Sequence, residues 1–340
     1  MEPWNRELAG RLETLEIDSE ALRGNALGDP HRRPLWVYTP PGYDDEPDRR
    51  FAVVYVIQGY TGQLDMWRNR EALRPTYVEA IDALFAAGEA PSTLVAFVDA
   101  WTSLGGSQFL NSPATGRYHD YLCDEVIAFV DERFRTDARR EARGIQGKSS
   151  GGYGALVTPM LRPELFSALA CHCGDSLFEA CYLADFPKTV RALRDEYDGS
   201  YERFWADVKD RPFGTKPSDW ELLETWGYAA CYSADPDGTV RLPFDAATGR
   251  LDDEVWARWL ELDPVRMIPR HADAMRSMRA VWLDAGRRDE FFLDNGMVAV
   301  SHELRAIGVE HALELFDGGH LSIGYRYPRS LAFLARALSA

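Results

Sequence analysis

The stretch Gly147-Lys148-Ser149-Ser150-Gly151 admits two chemistries. Read as G-x-S-x-G, it sets a serine in a strained strand-to-helix turn. The glycines two places to either side avoid clashes, and the hydroxyl stands clear to attack an acyl carbon. Extended back to Ala142, it also fits Ala/Gly-x-x-x-x-Gly-Lys-Ser. In such a loop the backbone cradles phosphate, Lys148 reaches the terminal phosphates and Ser149 binds Mg²⁺. The residues in front discriminate. A phosphate loop leaves a buried apolar strand, but Asp137-Ala138-Arg139-Arg140-Glu141 is polar. Ala142-Arg143-Gly144-Ile145-Gln146 instead supplies a strand that ends at the turn, and Gly152 and Gly154 let the following helix pack closely.

A nucleophilic serine needs a base, an acid to orient the base, and donors for the oxyanion. His320, in Phe316-Asp317-Gly318-Gly319-His320, lies in a glycine-rich loop free to swing toward Ser149. An imidazole can take a serine proton at neutral pH and return it to the leaving group. Asp289, in Gly286-Arg287-Arg288-Asp289-Glu290-Phe291, follows a strand ending at Asp284 and is the expected acid. Asp284 is its rival, His172 is the rival to His320, and Asp294 reads as a helix N-cap. The order serine, acid, histidine is that of α/β-hydrolase triads. The oxyanion donors are expected to be the amides of Ser150 and Tyr60, the latter in the turn after Val53–Ile57. Tyr60, Trp67 and Trp101 are expected to line the substrate pocket.

The elements that must position these residues alternate. Strands are predicted at Leu35–Tyr38, Ala52–Ile57, Leu94–Val98, Arg143–Gln146, Ser167–His172, Ala280–Asp284 and Ala312–Phe316. Helices are predicted near Thr76–Ala87, Tyr118–Phe134, Ser150–Leu161, Asp294–Ile307 and Pro328–Leu338. This is the pattern of an α/β fold with a mostly parallel central sheet flanked by helices. The section 177–270 interrupts it and holds five of the ten tryptophans. Aromatic side chains need something to pack on, so this is an ordered, largely helical insertion within a single domain of residues 1–340. It is expected to act as a lid or to thicken the core. Asp237-Gly238 before Thr239-Val240-Arg241-Leu242 adds a turn and a short strand.

Composition bounds the partners. A net charge of −16 speaks against nucleic acid and anionic membrane. The polar start, the lack of a spanning apolar run and five irregularly spaced cysteines fit a cytoplasmic protein with reduced thiols. Cys171-His172-Cys173 offers half a metal site with no second half, so neither metal nor cofactor is expected. The expected partner is a small-molecule ester; the oligomeric state is left open.

Together these residues resemble the putative-esterase family of α/β-hydrolases, which takes in S-formylglutathione hydrolases, feruloyl esterases, enterochelin-esterase-like enzymes and mycolyltransferases. The resemblance runs through Arg33–Tyr43, Val54–Tyr60, Gly105–Pro113, Gly147–Ala155 and the Asp289 and His320 loops. It departs from the family at Gln58 and Lys148, where His or Asp and His are common. The resemblance implies an α/β-hydrolase fold and ester or thioester cleavage through an acyl-enzyme on Ser149. An acyltransferase on the same machinery, a non-catalytic binding protein of the same fold, and a nucleotide binder using Lys148 are the alternatives.

Overall fold

Eight of the apolar or alternating runs assemble into one sheet in a computed structural model that describes residues 7–70, 72, 74–211 and 215–339. The strands are β1 (Arg11–Asp18), β2 (Arg32–Thr39), β3 (Val53–Ile57), β4 (Leu94–Val98), β5 (Arg143–Lys148), β6 (Ala168–His172), β7 (Ala280–Gly286) and β8 (Ala312–Phe316). Their spatial order is β1-β2-β4-β3-β5-β6-β7-β8. The first two neighbour pairs, β1–β2 and β2–β4, are antiparallel and all the others parallel. Every residue of β3, β4 and β6 is buried, as central strands covered on both faces require. β5 is less apolar but equally central. Its Arg143 pairs with Asp131, and Gln146 Nε2 donates to Tyr77 Oη at 3.2 Å.

The predicted helices form as α1 (Tyr77–Ala86), α2 (Ile127–Arg133), α3 (Ser150–Leu161), α9 (Leu293–Ala306) and α10 (Tyr327–Leu338), with α4–α8 between α3 and α9. Thr76 and Glu79 cap α1 reciprocally. The helix expected over Tyr118–Phe134 is wound as a wider π-type stretch at Tyr121–Val126 before α2 begins. Asp294 is not the N-cap of α9. That position belongs to Phe292, at φ 59°, and Asp294 sits in the first turn, where its charge still faces the helix dipole.

The section 177–270 contains α4 (Phe186–Tyr197), α5 (Tyr201–Asp210), α6 (Asp219–Tyr232), α7 (Asp253–Glu261) and α8 (Pro264–Arg270). The Asp237-Gly238 turn forms, but Thr239–Leu242 contributes only an isolated bridge between Ala234 and Val240. Trp259 anchors the section. It is fully buried, its Nε1 donates to Ser233 Oγ at 2.8 Å, and the rings of Tyr182, Phe186 and Tyr232 surround it at 5.2–5.7 Å. This aromatic cluster is continuous with the sheet core, whereas Leu193, Tyr197, Tyr201, Phe204 and Leu222 form a small core of their own. All five cysteines are free and buried. Among the described residues no helix is long and apolar enough to cross a membrane.

Candidate active site

Ser149 occupies the sharp junction between β5 and α3, with φ 57° and ψ −126°. A non-glycine residue there is strained by about 1–3 kcal/mol and must be held in place by its surroundings. Part of the hold is the Ser149 N–H, which donates to the carbonyl of His172 on β6 at 2.9 Å. The flanking glycines are obligatory. A Cβ on Gly147 would lie 2.2 Å from the Gly151 carbonyl oxygen, and one on Gly151 would lie 2.6 Å from those of Ile57 and Gln58. The spacing seen in the sequence is therefore a packing requirement of β3, β5 and α3.

The loops after β7 and β8 bring Asp289 and His320 together. His320 Nδ1 and Asp289 Oδ2 are 2.9 Å apart, and both residues are buried. Burial alone would raise the Asp289 pKa. Hydrogen bonds from His320, the Phe291 N–H and the Cys173 thiol outweigh it and hold the carboxyl below its ordinary range. Two neighbours went unnoticed in the sequence. Glu290 accepts the His320 N–H at 2.7 Å, and the Phe291 ring packs edge-on to the imidazole with centroids 4.9 Å apart. Ser149 Oγ and His320 face one cavity but share no hydrogen bond; such bonds commonly tighten only with substrate in place.

The turn after β3 closes over the serine. Gly59 passes so near that a Cβ there would meet the Lys148 carbonyl at 3.1 Å and the Ser149 Cβ at 3.4 Å. Neither the Tyr60 nor the Ser150 amide donates to an acceptor among the described residues; Ser150 follows Ser149 in the chain, and Tyr60 lines the same cavity as Ser149. Gln58 anchors this turn. With its amide oriented to satisfy both ends, it donates to the Val98 carbonyl at 2.6 Å and accepts from the Ala100 and Trp101 amides. The cavity, about 190 Å³, is bounded by Ser149, His320, Tyr60 and Trp67 and roofed by Trp220 and Tyr228 of α6. Trp101 is not in its wall. Its carbonyl accepts from Arg33 and Tyr118. The other expected lining residues, Tyr60 and Trp67, are there.

With this geometry in view, the comparisons with known proteins are specific. A family model described as putative esterase matches residues 26–322. The chain belongs to that family. An uncharacterized protein of Corynebacterium glutamicum is 26% identical over 136 residues, covering 40% of this chain and 31% of that protein. The chain thus spans about a third of the length of the curated relative it matches. Among solved structures, a ferulic acid esterase superposes with a TM-score of 0.63 at 16% identity, covering 98% of this chain and 100% of the other. An S-formylglutathione hydrolase of Agrobacterium tumefaciens gives 0.59 at 16% identity over 98% of each chain. The fluorophosphonate-binding serine hydrolase FphF of Staphylococcus aureus gives 0.58 at 15% identity, over 97% of this chain and 99% of its own. These likenesses carry the fold.

The protein also holds a buried Ser-His-Asp set in which Asp284 and His172, the sequence rivals of Asp289 and His320, meet Ser330. Asp284 Oδ1 and His172 Nδ1 are 2.7 Å apart, and His172 Nε2 is 2.8 Å from Ser330 Oγ. Trp282 Nε1 and Arg326 Nε each donate to Asp284 Oδ2 at 3.0 Å. All of these groups are buried, and neither His172, Asp284 nor Ser330 reaches the cavity. Burial opposes ionisation of Asp284, but the His172, Trp282 and Arg326 contacts prevail and lower its pKa. Both Asp284 carboxylate oxygens are thereby engaged. The set ties β6 to β7 and α10 behind the elbow, where the His172 carbonyl holds Ser149 and the Asp284 carbonyl holds the Cys173 N–H at 2.8 Å.

Helix α6 touches the turn after β3 directly. The Tyr60 ring packs against Tyr228 and Trp220 with centroids 5.2 and 5.9 Å apart. Its hydroxyl reaches the Leu104 and Leu223 carbonyls at 2.5 and 3.1 Å. Gly227 permits this approach, since a Cβ there would lie 2.4 Å from the Tyr60 hydroxyl. On the same helix, burial pushes the Glu224 carboxyl up to about 8 despite a 2.9 Å bond from the Tyr228 hydroxyl.

Proposed function

We propose that the protein cleaves a carboxylic ester or thioester through an acyl-enzyme on Ser149. Substrate enters the cavity with its carbonyl carbon against Ser149 Oγ. His320 Nε2 takes the hydroxyl proton while Asp289 fixes the Nδ1–H tautomer and stabilises the imidazolium. The Tyr60 and Ser150 amides bind the oxyanion, with no reorganisation because they are otherwise unused. His320 then protonates the departing alcohol or thiol, and a water deprotonated by the same nitrogen releases the acid.

The observation that carries this reading is the 2.9 Å Asp289–His320 hydrogen bond at the wall of the cavity that Ser149 enters from a strained turn. The section 177–270 is proposed as a fixed roof on a single catalytic domain. The burial of Trp259 in the common core supports this, as does the contact of α6 with Tyr60. A fluorophosphonate probe tests the mechanism. Labelling of the wild type and none of Ser149→Ala is expected; equal labelling of both proteins, or of neither, would overturn it.

A further inference from the structure

Lys148 is the side chain in the cavity that the proposed mechanism leaves without a task. It precedes the nucleophile, so its backbone is fixed about 3.8 Å from that of Ser149, and it lines the same cavity. Its ammonium forms no hydrogen bond or ion pair among the described residues. The acids around it are all committed elsewhere. Asp289 is paired with His320, and Glu290 accepts the His320 N–H. Asp175 accepts from Gln108 and Tyr182 at 2.9 Å each, and Asp185 holds Lys188 at 2.6 Å. Glu224 is engaged by Tyr228. Burial lowers the Lys148 pKa, while the fields of Cys173, Asp289, Asp175 and Glu290 act to keep it charged.

An ammonium partly stripped of water and lacking a counter-ion is an unfilled half of an ion pair. The missing half is an anion that arrives with the substrate. We propose that Lys148 binds a carboxylate of the substrate, so that the preferred esters are anionic, such as half-esters of short dicarboxylic acids. Lys148 and Ser149 are adjacent in the chain and line one cavity, so the proposed spacer between scissile carbonyl and carboxylate is a short one, of succinyl or glutaryl length. The overall charge of −16 does not oppose this. Surface charges are screened beyond about 8–10 Å at physiological salt, whereas Lys148 lines the cavity itself. The proposal rests on the hydrolase reading above for the position of the scissile bond.

The test compares mono-ethyl succinate with ethyl butyrate, which differ in the terminal carboxylate, by titrating released acid. The wild type is expected to favour the succinate ester at least tenfold in kcat/KM. Lys148→Met should lower that ratio at least tenfold, and Lys148→Arg should keep most of it. A wild-type preference below threefold, or a ratio that Lys148→Met leaves within threefold, overturns the proposal. A second measurement does not depend on turnover. Succinate should bind Ser149→Ala by calorimetry at least tenfold more tightly than butyramide, and should lose that margin when Lys148→Met is added. If neither ester is cleaved and no fluorophosphonate reacts, the hydrolase reading falls, and the succinate titration still decides for or against Lys148.

Discussion

Two buried aspartates, each paired with a histidine through Nδ1, should respond to the same substitution in opposite ways. Asp284 accepts from His172, Trp282 and Arg326 and has no access to the cavity. Asp284→Asn removes the charge and leaves the Arg326 guanidinium with only Glu314, at the rim of the site. Breaking a buried ion pair from one side costs about 3–5 kcal/mol. The unfolding entropy of 340 residues is about 0.7 kcal/mol/K. Asp284→Asn should therefore lower the melting temperature by about 4–7 °C. Ser149 is held by the His172 backbone carbonyl, not its ring, so kcat for p-nitrophenyl acetate well below the melt should stay within about tenfold. Asp289→Asn should do the reverse. An asparagine amide facing Nδ1 forces the wrong imidazole tautomer, and kcat should fall by about 10²–10⁴. The fold loses one hydrogen bond, a cost within about 2 kcal/mol, or about 3 °C. Calorimetry and steady-state kinetics on both variants decide. If Asp284→Asn loses activity by more than a hundredfold with an unchanged melt, or Asp289→Asn retains activity, the roles argued here are exchanged.

Three more outcomes are expected. Gly227→Ala places a methyl 2.4 Å from the Tyr60 hydroxyl. It should shift the oxyanion turn and lower kcat about tenfold or more, with a smaller change in KM; unchanged kinetics would detach the roof from the oxyanion site. Glu224, raised to about 8 by burial, keeps a proton in the folded protein that the unfolded chain releases near 4.5. Stability should therefore fall as pH rises between those values. Glu224→Gln should melt like the wild type at low pH and higher than it above pH 8; parallel melting curves across that window would contradict this. Gly151→Ala, whose methyl would meet two carbonyl oxygens at 2.6 Å, should abolish fluorophosphonate labelling or folding. A folded, fully labelled variant would count against the packing argument.

The parts legible in the sequence were those with short-range signatures. Strands β2 to β4 and β6 to β8 announce themselves as apolar runs, β5 by its place just before the Ser149 turn, and Gly147, Ser149 and Gly151 as a spacing that only tight packing explains. Asp289 and His320, which the fold brings within 2.9 Å, stood out because each follows a strand in the order serine, acid, histidine. What stayed hidden depends on contacts between distant segments. β1 escaped notice because as an edge strand it buries only one face, and its Glu13 and Glu16 look like loop charges. The pairing of His172 with Asp284 spans 112 residues, so in the sequence both could only be ranked as rivals to His320 and Asp289. Trp101 lies outside the cavity wall, and its backbone carbonyl is taken by Arg33 and Tyr118, contacts that its sequence neighbours do not reveal. Lys148 was visible as a departure from the family pattern, but its lack of a counter-ion required knowing where every nearby carboxylate goes.

The central claim is that an acyl group resides on Ser149 during turnover. Acid-quenching the protein within the burst phase of p-nitrophenyl acetate cleavage and mapping the adduct by mass spectrometry tests it directly. An acetyl group on the peptide carrying Ser149, absent from Ser149→Ala, is the predicted result. Turnover with no adduct there, or with one on Ser330 or Lys148 instead, would contradict the account.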